Sequence, residues 1–416
     1  VPGWLAAPVV GAGLLAVLSG AAQFGVTAVL GEVALAFGAA TTAEVEGQLG
    51  MSAGTLGLGL AVIRFAGAGS LFGSAVADRV GRRPVLLVAT AAGLLLTLLA
   101  PLAPTFWVFV GVIALSRPLL SSTNAVTAVV AAEETDAHDR TAALAFIAAA
   151  YAAGSGIVSV ARGAIDGLDF RVLLVVVGLF VVTVPVIARL VREPPANAHV
   201  AGAVRPAFGT VSRAVARPLV VFCLLAAATN LVTGPAFTFL FVYGENVLGA
   251  SPARMALLVL AAGPAGLAGL LLGRLLADRL GRRVAALGGT LLIGLAGSWA
   301  YNGGQPALFA GYLVLIVAAA AAGPAAAALL NEAMPTETRA TANGWAAAAG
   351  VVGAVAGLAA FGALAGDAGA FDRAALWLFL PLVPLSFGYL LLPETAGTEE
   401  LPSTLDAADP VGTDVG

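Results

Sequence analysis

Of the chain's 416 residues, 60% are hydrophobic and 10% charged, and the mean hydropathy is +0.99. A soluble globular chain carries about 25% charged residues, so this composition excludes a water-facing exterior and leaves lipid as the solvent. A net charge of −3 offers no basic face for nucleic acid, and a single cysteine, Cys223 in an apolar run, excludes a disulfide framework.

A membrane-crossing helix needs about 20 mostly apolar residues. Charge clusters and Gly/Pro punctuation divide the chain into twelve such spans, at 8–37, 52–75, 84–103, 105–132, 141–162, 169–191, 218–243, 252–277, 284–301, 306–333, 340–366 and 373–392. The first has neither the basic lead nor the short apolar core of a cleavable signal, so it is read as a retained helix. With the N-terminus inside, fourteen arginines fall on the cytoplasmic side and four (Arg162, Arg171, Arg254 and Arg373) on the outer side. The positive-inside rule therefore favours both termini in the cytoplasm, and Trp107, Trp299 and Trp377 then sit at outer span ends as an aromatic belt. The expected domains are an N-terminal six-helix bundle at 1–192, a cytoplasmic linker at 193–217, a C-terminal bundle at 218–393 and a disordered acidic tail at 394–416.

Two passages recur. Residues 73–83 read GSAVADRVGRR and residues 273–283 read GRLLADRLGRR, which sets Asp78 against Asp278. After the fourth span, Glu133 precedes Arg140 by seven residues; after the tenth, Glu332 precedes Arg339 by the same interval. Such a parallel repeat of six-helix halves resembles the major facilitator superfamily, which is a worked example of it. The loop between the second and third spans resembles that family's signature G-x-x-x-D-R-x-G-R-R, and the loop between the eighth and ninth carries its echo. Ser74 and Arg274 occupy the position of the opening glycine, with Gly73 and Gly273 one residue earlier, a departure expected to loosen the contact of spans 2 and 11. Residues 331–339 resemble the E-x-x-P-T-x-x-R element of sugar porters, and Pro393–Gly397 their P-E-T-x-G tail. Carboxylates and guanidiniums in short turns bond in forks. Asp78, Arg79, Arg82, Arg83, Glu133 and Arg140 are therefore expected to latch one half at the cytoplasmic face. Asp278, Arg279, Arg282, Arg283, Glu332 and Arg339 would do the same in the other half. The bland alternative makes these arginines topology anchors only.

Ionisable groups inside a membrane are costly and normally functional. Arg117, mid-way along the fourth span, forms a polar stripe with Ser121 at i+4 and Asn124 at i+7, serving either a substrate or a buried ion pair. Arg64, mid-way along the second span, either meets substrate or neutralises Glu32. Glu32 is the one carboxylate well inside an apolar run and is the candidate proton carrier. Gln23, Thr229, Asn230 and Thr233 are uncharged candidates for substrate contact, Asn343 and Trp345 weaker ones, and each could equally bond helix to helix. Arg162 and Asp166 are spaced for a local structural pair, and His138 and His199 lie in loops. Arg117 also resembles the fourth-span arginine of drug:proton antiporters, although the sequence here is Arg-Pro-Leu-Leu-Ser and the fifth span lacks their G-P-x-x-G-G element.

The sequence thus reads as an all-α membrane protein, twelve helices in two pseudo-symmetric six-helix bundles, monomeric and multi-pass in the cytoplasmic membrane. The favoured function is proton-coupled symport of a small, possibly anionic, organic solute by alternating access. A proton-driven exporter of drugs or secondary metabolites is the alternative, and a channel or non-transporting receptor comes third. With no metal-ligand cluster, nucleotide loop or nucleophile constellation in the sequence, no cofactor, metal or enzymatic step is expected.

Overall fold

The computed structural model describes residues 3–38, 50–136, 139–164, 169–193, 213–335, 338–366 and 369–395. The acidic tail beyond 395, most of the 193–217 linker, Asp166, His138 and His199 therefore lie outside the described residues. Among the described residues all regular structure is helical. Twelve helices are long and apolar enough to cross a membrane: α1 Ala7–Ala28, α2 Ala53–Ala77, α3 Arg82–Leu102, α4 Phe106–Glu133, α5 Ala142–Ala164, α6 Phe170–Ile187, α7 Val215–Thr238, α8 Pro252–Leu280, α9 Arg282–Ala300, α10 Gly304–Glu332, α11 Thr341–Ala365 and α12 Phe371–Leu391. The protein is a multi-pass membrane protein.

Local chemistry explains where several helices begin. Ser52 caps α2 by accepting from the Thr55 N–H at 3.1 Å, and Thr105 caps α4 through the Val108 N–H. Asp169 caps α6, accepting from the Arg171 N–H at 2.9 Å and from its guanidinium at 2.9 Å. That backbone bond above all, with the guanidinium, holds the Asp169 carboxyl below the usual carboxylate range. Turns before α3 and α9 pass through Gly81 at φ +114° and Gly281 at φ +93°, backbone that favours glycine.

Two spans differ from expectation. The first is two helices, Ala7–Ala28 and Leu30–Phe37, meeting at Val29. The seventh ends at Thr238 and is followed by a wide π turn over Val242–Val247, which carries Glu245. Inside α2, Gly67–Gly69 tighten to a 3-10 turn.

Contacts divide the chain into two compact units. The first comprises Val1–Ala203, Pro235–Gly263 and Leu358–Ala374; the second comprises Val204–Gly234, Pro264–Gly357 and Ala375–Gly416. The first unit thus holds α1–α6 together with the end of α7, the start of α8 and the end of α11. Within it α1 and α5 approach closely because they meet at glycines: a side chain on Gly20 would strike the Tyr151 carbonyl, and one on Gly154 would strike that of Val17. Hydroxyl pairs bind α3 to α4, Thr90 to Thr123 at 3.0 Å and Thr97 to Ser116 at 3.3 Å, all buried. Gly57 of α2 packs on Gly362 of α11. Gly73 instead faces Ser122 of α4, and in the second unit Gly273 faces Ala321 of α10. The displaced glycines therefore serve the α2–α4 and α8–α10 crossings.

Candidate functional site

The arginine-rich ends carry matching networks, one in each unit. In the first, Arg82 is ion-paired with Glu133. Glu193, just past α6, accepts from the Arg82 and Arg83 N–H groups at 2.7 and 2.8 Å, so it caps the N-terminus of α3. Arg83 in turn donates to the carbonyls of Val191 and Ala188, and Arg140 to that of Ala132. In the second unit Arg282 pairs with Glu332, and Glu394 accepts from the Arg282 and Arg283 N–H groups at 2.9 and 3.1 Å. Arg283 donates to the Leu392 carbonyl, Arg339 to that of Met334, and Thr395 to the Glu332 carboxylate. Glycine in these two turns is required by packing as well as by φ, because a Cβ on Gly81 or Gly281 would meet the capping glutamate.

The structure brings together Arg82, Arg83 and Glu133, and likewise Arg282, Arg283 and Glu332. Asp278 is placed differently: it lies in an exposed i,i+4 pair with Arg274 at 3.7 Å. Asp78 is helical, and its side chain lies outside what is described. Arg79 and Arg279 are exposed. Sequence reasoning missed both capping glutamates, assigning Glu193 to the linker and Glu394 to the tail. Their signal is the repeat itself, since 193 and 394 differ by nearly the same offset as the two signature loops.

At the other end of the first unit, Arg162 of α5 is buried, 4% exposed, and ion-paired with Glu32. A second carboxylate, Glu245 in the π turn after α7, lies 3.3 Å from the same guanidinium nitrogen. Arg162 is thus the hub of an ion cluster joining α1's continuation, α5 and the end of α7, where sequence spacing had suggested a local partner in Asp166. Gly31 sits against Asn246 beside this cluster, and Phe24 stacks edge-on to Phe241, ring centroids 5.7 Å apart.

Between these ends lie Arg64 and Arg117. Each is eleven residues into its helix, counting from Ala53 and from Phe106, or about 16 Å along at 1.5 Å per residue. The Arg117 side chain crosses bare Gly67: a Cβ there would lie 3.4 Å from Arg117 Cγ and 3.8 Å from Ser121 Oγ. Arg64 stands one turn away on that helix, its side chain exposed. Neither guanidinium has a hydrogen bond or ion pair among the described residues, whereas Tyr151 of α5 lies within electrostatic range of both, and they of each other. Tyr151 was not singled out in the sequence, having no charge or motif to mark it. Asn124 has a buried side-chain oxygen with no partner among the described residues. Gln23 is engaged elsewhere: its amide donates to Ser19, whose hydroxyl donates to the Leu120 carbonyl, so it ties α1 to α4. In the second unit the Asn230 amide donates to the Ala226 carbonyl at 3.0 Å and lies against Gly350, while Thr229 and Thr233 are half-buried. Asn343 donates to Asn331 and to the Arg339 carbonyl.

The profile of the Major Facilitator Superfamily matches residues 12–297 and again 248–411. Among curated protein sequences none matches the chain. The fold is similar to the D-xylose–proton symporter at 18% identity and TM-score 0.72, covering 94% of this chain and 99% of that one. The inward-open xylose transporter XylE from E. coli matches at 16% and 0.72, covering 94% and 96%. The nucleoside transporter NupG matches at 11% and 0.74, covering 92% and 99%. With twelve helices of spanning length, signature turns in both halves and a family profile covering nearly its whole length, this chain belongs to the Major Facilitator Superfamily.

Proposed function

We propose that the protein is a secondary active transporter of the cytoplasmic membrane that moves a small organic solute by alternating access, in symport with protons. The observation that carries this reading is the Glu32–Arg162–Glu245 cluster. Its members come from both sequence halves, α1 and α5 from one and the turn after α7 from the other, so the cluster must break if the halves part on that side. Alternating access requires such a closure, formed in one state and broken in another. The sharing supplies the coupling: two carboxylates meet one guanidinium, and a proton on Glu32 weakens its hold on Arg162 while Glu245 still pairs with it, so protonation changes the balance between closed and open. The likeness to a D-xylose–proton symporter is consistent with this coupling.

The arginine asymmetry sets the networks of Arg82–Glu133 and Arg282–Glu332 on the cytoplasmic face and the Arg162 cluster on the outer face. Tags in the 193–217 connection and at both termini are therefore expected to be protected from protease in intact cells and cut in inverted vesicles. An externally accessible 193–217 tag contradicts the orientation.

The cytoplasmic networks are read as parts of the opposite closure. Glu133→Gln and Glu332→Gln each remove a charge partner at a half-buried site while leaving the glutamate caps in place. Each is expected to slow solute exchange in vesicles by about three- to tenfold at unchanged membrane abundance. Full-speed exchange in both variants would make these arginines topology anchors only.

A further inference from the structure

Resting on the transporter reading, we infer that the solute is a small dianion held between Arg64 and Arg117, with the Tyr151 hydroxyl as a third contact. Two guanidiniums in the middle of their spans, Arg117 against Gly67 and Arg64 one helical turn from it, repel each other and have no carboxylate partner among the described residues. The two least exposed of this unit's ion-paired guanidiniums each have a carboxylate: Arg82 has Glu133 and Arg162 has Glu32 and Glu245. A cation without a partner inside a membrane is expensive, and here two stand near each other with none among the described residues.

The missing charge is −2. One carboxylate would satisfy one fork and leave the second cation facing the first. A molecule carrying two negative charges satisfies both, either as two carboxylates a few ångströms apart or as a single phosphate monoester. Guanidinium suits both groups because its planar fork donates two parallel hydrogen bonds to paired oxygens. A Cβ on Gly67 would come into contact with Arg117 Cγ at 3.4 Å and Ser121 Oγ at 3.8 Å, so the glycine leaves that space beside them free. Tyr151, held at a fixed height because its backbone rests on Gly20, can donate its hydroxyl to an anionic oxygen.

The test uses the purified full-length chain in lipid nanodiscs at fixed ionic strength. Thermal stability and tryptophan fluorescence are read against succinate, glutarate, glycerol phosphate, butyrate, xylose and a tetraphenylphosphonium salt. At least one of the three dianions is expected to bind about tenfold or more tighter than butyrate, and xylose and the cation not at all at the same concentrations. Preference for the dicarboxylates or for the phosphate monoester decides which form the two charges take. Arg64→Ala and Arg117→Ala should each weaken dianion binding by about ten- to a hundredfold, Arg117→Lys by less, and Tyr151→Phe by a few-fold. Without ligand, Arg117→Ala should melt no lower than the parent, because it removes a repulsion; an unseen structural ion pair would make it melt lower. Equal responses to dianions, butyrate and xylose overturn the proposal, as does undiminished binding by Arg117→Ala. Uptake of an uncharged solute that survives in Arg64→Ala and Arg117→Ala overturns the dianion while leaving the transporter intact. Dianion binding without exchange across proteoliposomes upholds the site and fails the transporter reading.

Discussion

Arg162→Ala is expected to open the end of the first unit that Glu32, Arg162 and Glu245 hold together. The substitution leaves Glu32 and Glu245 facing each other across a site that was built for a cation, with Arg162 itself only 4% exposed. Removing one partner of a buried ion pair costs about 3–5 kcal/mol. The lower figure applies here because Glu32 keeps 27% of its side-chain surface. About 3 kcal/mol shifts a two-state balance roughly a hundredfold. Spin labels at positions 35 and 249, in a Cys223→Ser background, report on this end of the first unit. The parent should give one short distance, and Arg162→Ala a longer, dominant second population with transport nearly abolished. Arg162→Lys, which keeps the charge but not the fork, should lie between them and shows that the chain still folds. An unchanged distance distribution in Arg162→Ala would remove the cluster from the gate.

Glu32→Gln separates transport from its driving force. Glutamine preserves an oxygen for Arg162 to donate to but can neither carry a charge nor take a proton, and Glu245 then balances Arg162 alone. Accumulation driven by a pH gradient should fall to the level of empty vesicles, while exchange between equal solute pools continues at a rate within a few-fold of the parent. Exchange persists because the loaded carrier reorients without releasing a proton. Gradient-driven accumulation that survives in Glu32→Gln would assign the proton to another group or make the protein a uniporter.

Helix number, most helix boundaries and family were legible in the sequence because membrane spans and the doubled signature are local patterns. A run of apolar residues must be helical in lipid to satisfy its own backbone, and the arginines and glycines of the turns recur at a fixed offset. The site was legible only where a charge interrupted an apolar run, as at Arg64, Arg117 and Glu32. Glu245 escaped notice because it follows a span end, where a carboxylate looks solvated; the π turn that brings it to Arg162 has no sequence mark. Arg162 looked self-sufficient with Asp166 four residues on, although its bonds to Glu32 and Glu245 depend on the close α1–α5 crossing at Gly20 and Gly154. Gln23 looked like a cavity residue and is spent on Ser19, a pairing that only the α1–α4 contact reveals. Glu193 and Glu394 were hidden by their place at domain ends, although each caps a helix that opens with two arginines.

The most direct test of the account is solute uptake by the purified protein in proteoliposomes under an imposed pH gradient, acid outside, across a panel of organic acids, sugars and lipophilic cations. The account predicts that at least one solute accumulates above its external concentration, that a protonophore collapses the accumulation, and that Glu32→Gln never builds it. Downhill equilibration alone, indifferent to the gradient and equal in parent and Glu32→Gln, would contradict it.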